Sequence, residues 1–168
     1  MFTLSRPGLL FATGLFVAAS ALSAFAEDVV VHVSLWDKGA DSANMTDAMM
    51  ANEGKLVQNP TTATMGINLD QRQVSAGTVV FAVENSSKDI IHEMILSPLP
   101  KGATELPYLK DENRVDEDKA DHLGEVSELD PGGKGALTVD LKPGDYVLYC
   151  NIPGHIAGGM WALLTVTP

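Results

Sequence analysis

Apolar and polar residues alternate along much of the chain. In Val29-Val30-Val31-His32-Val33-Ser34-Leu35-Trp36, the set Val29, Val31, Val33 and Leu35 falls on one side and His32 and Ser34 on the other. That period of two predicts a half-buried strand. Similar β-rich runs occupy 77–83, 90–96, 136–141, 146–150 and 161–167. Asn85-Ser86-Ser87, Pro131-Gly132-Gly133 and Pro143-Gly144 separate them with turn-forming residues. Many short strands between Pro/Gly turns predict an all-β sandwich or barrel, not a chain of βαβ units. Two stretches break the pattern. Residues 42–56 carry Met45, Met49 and Met50 among helix formers and predict a short helix. Residues 110–130 hold nine acids against three bases and read as an exposed insertion with some helix.

The first 26 residues read as an address. Arg6 is their one charge, and residues 9–26 form an apolar run ending in Ala24-Phe25-Ala26, a small-x-small cleavage pattern. The expectation is a signal peptide over 1–26, a single domain over 27–168, and a periplasmic location with no stable membrane insertion after cleavage. Charge and composition narrow the function classes. With 11 Lys plus Arg against 22 Asp plus Glu, the net charge of −11 disfavours nucleic acid and anionic membranes as partners. A single Cys allows no internal disulfide. In an oxidising compartment it must be buried, paired between chains or bound to a metal.

Its neighbours favour a metal. Cys150-Asn-Ile-Pro-Gly-His155-Ile-Ala-Gly-Gly-Met160 places a thiolate, an imidazole and a thioether on one loop between two predicted strands. Pro153-Gly154 and Gly158-Gly159 supply bends that let so short a loop turn back on itself. His92, in Ile90-Ile91-His92-Glu93-Met94, offers a fourth donor from another strand. His32 falls on the polar face of its strand and His122 in the acidic insertion, so both read as solvated surface residues. Two His and a Cys with a weak axial Met describe a type 1 copper centre, whereas a thioether suits zinc poorly. The same soft set holds Cu(I) without excluding Cu(II), a property that makes a one-electron carrier.

At these residues the chain resembles the cupredoxins, or blue copper proteins. The spacing C-x4-H-x4-M is similar to that of rusticyanin and sulfocyanin, with a longer Cys-to-His step than in plastocyanin. The resemblance extends to 74–81, to the His92 strand and to Leu-Lys-Pro-Gly-Asp-Tyr-Val-Leu-Tyr-Cys at 141–150. The Met-containing segment and the acidic insertion match less well. The resemblance implies a Greek-key β-sandwich with short helical or loop insertions and one type 1 copper near one end. It implies His92, Cys150 and His155 in a trigonal plane and Met160 as the long axial ligand. It also implies a monomeric electron carrier serving redox proteins such as a cytochrome or an oxidase. His155 would be the electron exit, emerging through small apolar groups at Ile152, Pro153, Ile156 and Ala157. Glu93 departs from plastocyanin, which has an Asn there that helps to tie the two ligand loops together. A carboxylate so placed would make the potential depend on pH, to be tested with Glu93→Gln.

Two rival functions follow from the same residues. The chain could serve copper tolerance, sequestering or delivering the metal with Met45, Met49 and Met50 assisting; Met45 and Met49, four apart, equally fit packing of a short helix on the sheet. Met65 and Met94 read as core. An oxidase or reductase would need further His clusters and an open coordination position, and four His leave too few ligands for a second copper. No enzyme is expected. The acidic run reads as a soluble face or as steering toward a basic redox partner.

Overall fold

A computed structural model describes residues 28–44, 46–56 and 63–168. Residues 1–26, expected from the sequence to be a signal peptide, and Met45 lie outside the described residues. Within them, strands dominate. Strands β1 (Val29–Asp37), β2 (Met65–Leu69), β4 (Gly77–Asn85) and β9 (Lys134–Leu141) form one sheet in the order β2-β1-β4-β9. A second sheet takes β3 (Gln73–Ser75), β5 (His92–Leu99), β8 (Gly124–Leu129), β10 (Gly144–Tyr149) and β11 (Trp161–Thr167) in the order β3-β11-β10-β5-β8. The strands pair antiparallel except β1 with β4 and β3 with β11. The chain crosses between sheets repeatedly, so each sheet is built from distant parts of the sequence.

The alternation in β1 does what its period requires. Val31, Val33 and Leu35 are buried and His32 is exposed. The parallel register sets Val31 beside Phe81 of β4, and Phe81 in turn lies opposite Leu137 of β9. These residues meet Met94, Leu96, Leu148 and Leu164 of the other sheet in one apolar core. Met65 and Met94 are both fully buried, as expected. Cys150 and Met160 belong to the same cluster, so the metal donors sit at the edge of the main core.

Both predicted inserts differ from expectation. Helix α1 is the single turn Asp47–Met50, capped by the Thr46 hydroxyl accepting from the Met49 N–H. Residues 105–123 contain no helix. They form turns and two short strands, β6 (Tyr108–Leu109) and β7 (Arg114–Val115). Their charges are mostly exposed, but Leu106, Val115 and Ala120 turn inward against Ile95, Val147, Tyr149 and Trp161. The insertion is therefore a cover on the outer face of the second sheet. Hence β5 and β10 are buried on both faces and read as apolar runs instead of alternating. Within the stretch read as insertion, 124–129 is the edge strand β8. Its pattern is faint because Val126 alone is buried in it.

Candidate metal centre

Three elements deliver the donors. Cys150 follows β10, and its N–H donates to the Met160 carbonyl at 3.1 Å as the loop closes into β11. Between them the backbone is held by Gly158 N–H to Gly154 O (3.1 Å), Gly159 N–H to Ile156 O (3.0 Å) and Met160 N–H to His155 O (3.1 Å). Gly154 (φ 87°) and Gly159 (φ 102°) adopt backbone conformations that side chains disfavour. His92 opens β5, next to a register shift against β8 that lies between His92 and Met94. The preceding loop is fixed by fully buried Asn85, whose amide donates to Ile90 O (2.9 Å) and Leu129 O (2.8 Å).

The donor atoms converge. His92 Nδ1 lies 3.3 Å from His155 Nδ1, and Cys150 Sγ lies 3.3 Å from the same nitrogen. One ligand atom from each of the three falls within 4.8 Å of the others. The two rings meet edge-on, 68° between planes. His92, Cys150 and Met160 are fully buried and His155 is 3% exposed.

Burial decides the charge of the metal-free set. It pushes the Cys150 thiol up to about 12, against hydrogen bonds from the backbone N–H groups of Glu93 and Ile152. It also pulls His155 down to about 4, helped by the neighbouring His92. His92 is lowered by burial too, while its bond to Asp37 opposes this. The pocket without a cation thus holds a neutral thiol and two neutral imidazoles at neutral pH. A soft cation would repay the burial of a thiolate, and the residues present fit one.

Three polar groups surround the donors. The Glu93 N–H donates to Cys150 Sγ at 3.5 Å, and Glu93 Oε1 accepts from the Asn151 N–H at 2.9 Å. Burial raises Glu93 to about 7; the Asn151 N–H opposes that, and the charges of Glu125, Glu117 and Glu128 add to it. The Asn151 side chain accepts from Val115 N–H (2.7 Å) and donates to Val115 O (3.0 Å) and Glu117 Oε1 (2.7 Å). It fastens the insertion to the ligand loop, as does Gly154 N–H to Asn113 O (2.8 Å). Asp37 Oδ2 lies 2.9 Å from His92 Nε2. Although burial would raise Asp37, bonds from Ser87, His92 and the Gly39 N–H hold it below the usual carboxylate range.

The sequence-predicted donors His92, Cys150 and His155 are therefore brought together, and Met160 is buried on the same loop. His32 and His122 are exposed, as expected. The expected emergence of His155 is not found. Ile156 and Ala157 turn inward with it, Ile156 packing on Val115 and Trp161, so of the apolar group Pro153 is exposed and Ile152 half-buried. Met49 is buried and Met50 is 44% exposed. A Cβ on Gly158 would stand 3.1 Å from Met65 Cγ and 3.2 Å from Met49 Cε, so Met49 packs on the ligand loop.

Comparison with known proteins agrees with this arrangement. The family model of the sulfocyanin (SoxE) domain matches residues 129–168, which include Cys150, His155 and Met160. Reduced rusticyanin superposes with TM-score 0.52 at 18% identity, over 84% of this chain and 81% of that one. Auracyanin A, a "blue" copper protein from the green thermophilic photosynthetic bacterium Chloroflexus aurantiacus, gives TM-score 0.50 at 18% identity, over 83% and 99%. No curated protein matches the chain. The fold is the cupredoxin β-sandwich. The sulfocyanin match falls on the segment that carries three of the sequence-predicted donors, and the clustered His92, Cys150 and His155 form a candidate site for a soft metal ion.

Proposed function

We propose that the protein is an exported one-electron carrier in which His92 Nδ1, Cys150 Sγ and His155 Nδ1 would hold one copper ion, with Met160 as a fourth, weaker donor. The convergence of those three donor atoms in a buried pocket carries the reading. When bound, copper supplies a Cu(II)/Cu(I) couple. The residues' part is to keep the site the same in both states. Gly-turned backbone bonds fix the loop, Asn151 and Glu93 lock it to neighbouring elements, and burial excludes water. A rigid site lets an electron pass with little rearrangement.

Carriage is favoured over copper delivery by Met49, which packs on Gly158, while Met50 faces solvent. Chemistry on a substrate is disfavoured by the burial of the donors, with Met160 as a further buried donor on the same loop. Exposed Asp111, Glu112, Asp118, Asp121 and Glu125 on the cover and β8 suit a basic redox protein such as a cytochrome. Loading the protein with Cu(II) tests the proposal. An intense visible thiolate-to-copper band, lost in Cys150→Ser, is expected; a colourless copper-loaded protein overturns it.

A further inference from the structure

Resting on the copper reading above, we propose that Asp37 is a positioning residue: it fixes which nitrogen of His92 faces the metal, and its charge favours the oxidised ion. Asp37 ends β1, 55 positions before His92, yet their side chains are 2% and 0% exposed and meet at 2.9 Å through Oδ2 and Nε2. Its other oxygen, Oδ1, accepts from the Gly39 N–H at 2.6 Å. Gly39 reaches back with φ 110°, a backbone conformation that favours glycine. The carboxylate is thus anchored on one side and presents an acceptor to the imidazole on the other.

The chemistry follows from which His nitrogen is which. A carboxylate accepting at Nε2 places the ring proton there and leaves the Nδ1 lone pair free. Nδ1 is the atom 3.3 Å from His155 Nδ1, where the donors converge. The same bond restrains the ring about its Cβ–Cγ axis and makes the imidazole a stronger donor. A negative charge one ring away stabilises Cu(II) more than Cu(I). Loss of such an outer partner typically costs metal affinity about tenfold to a hundredfold. Here the loss falls mainly on Cu(II), and a tenfold selective loss raises a one-electron potential by about 59 mV.

Nitrogen-15 NMR of the metal-free wild type reads the tautomer directly, and voltammetry of copper-loaded wild type and Asp37→Asn reads the charge. An Nε2–H tautomer of His92 and a higher potential in Asp37→Asn are expected. An Nδ1–H tautomer in the wild type overturns the proposal, and this arm needs no variant to fold. A blue wild type whose potential is unchanged in Asp37→Asn overturns the role of Asp37 alone. A copper-loaded wild type without the charge-transfer band overturns the copper reading on which it rests.

Discussion

Glu93 and Asn151, 58 positions apart, are joined by a hydrogen bond from the Asn151 N–H to Glu93 Oε1 at 2.9 Å. Each directly follows a donor, Glu93 after His92 and Asn151 after Cys150. The bond therefore links the two donor-bearing segments next to the donors themselves. Glu93 performs a tie between loops with a carboxylate, and that choice brings a titration with it.

Folding of the metal-free protein binds a proton at Glu93, because burial raises this carboxyl from an ordinary 4.5 to about 7. Between those values the native state holds more protons than the unfolded state, so stability falls as pH climbs through the interval. Urea midpoints of the metal-free protein at about pH 5 and about pH 8 read the effect. The wild type should lose more stability across that step than Glu93→Gln. Equal losses in both would refute the assignment.

Asn151→Ala removes three bonds to the cover and leaves the Val115 N–H and C=O without that partner. Stranding a buried backbone group costs about 1–3 kcal/mol. Denaturant unfolding should show a loss of that size, and limited proteolysis should cut within 105–123 sooner than in the wild type. Unaltered protection of that segment would argue against the clamp.

Gly159→Ala forces a side chain onto φ 102°, with its Cβ 3.0 Å from Ala63 Cβ and 3.2 Å from Met65 O. The ligand loop must shift or carry strain of about 1–3 kcal/mol. The expected outcome is a lower melting temperature of the metal-free protein and a displaced visible band after copper loading. A variant indistinguishable in both measurements would mean that the loop tolerates other backbone paths.

Copper at a thousandfold excess over its dissociation constant stabilises the folded state by about 4 kcal/mol if the unfolded chain does not bind it. Thermal melts with and without the ion should show that gain in the wild type. Cys150→Ser should lose most of it, since the variant has no thiolate to offer. Persistence of the full gain would place the ion elsewhere.

Local pattern carried some of this and distance hid the rest. The β1 alternation, the turns at 131–133 and 143–144, and the close spacing of Cys150, His155 and Met160 are all local; the strand and turns are found, and Cys150 and His155 meet at one point. Asp37 gave no signal, because a carboxylate after a strand has no pattern that points 55 residues ahead. Asn85 looked like one more turn residue, although its amide organises the approach to His92. The cover over the second sheet was read as a solvated face. Its Leu106, Val115 and Ala120 are too sparse among charges to form a period. The same blind spot hid the burial of His155, which is 3% exposed beside Ile156, a member of the apolar cluster that holds Val115 and Trp161.

Cys150, His155 and Met160 share eleven consecutive positions, whereas His92 and its Asp37 partner lie far upstream. An isolated 150–160 segment therefore lacks both His92 and the carboxylate behind it, and the buried three-donor cluster exists only once β5 has paired with β10.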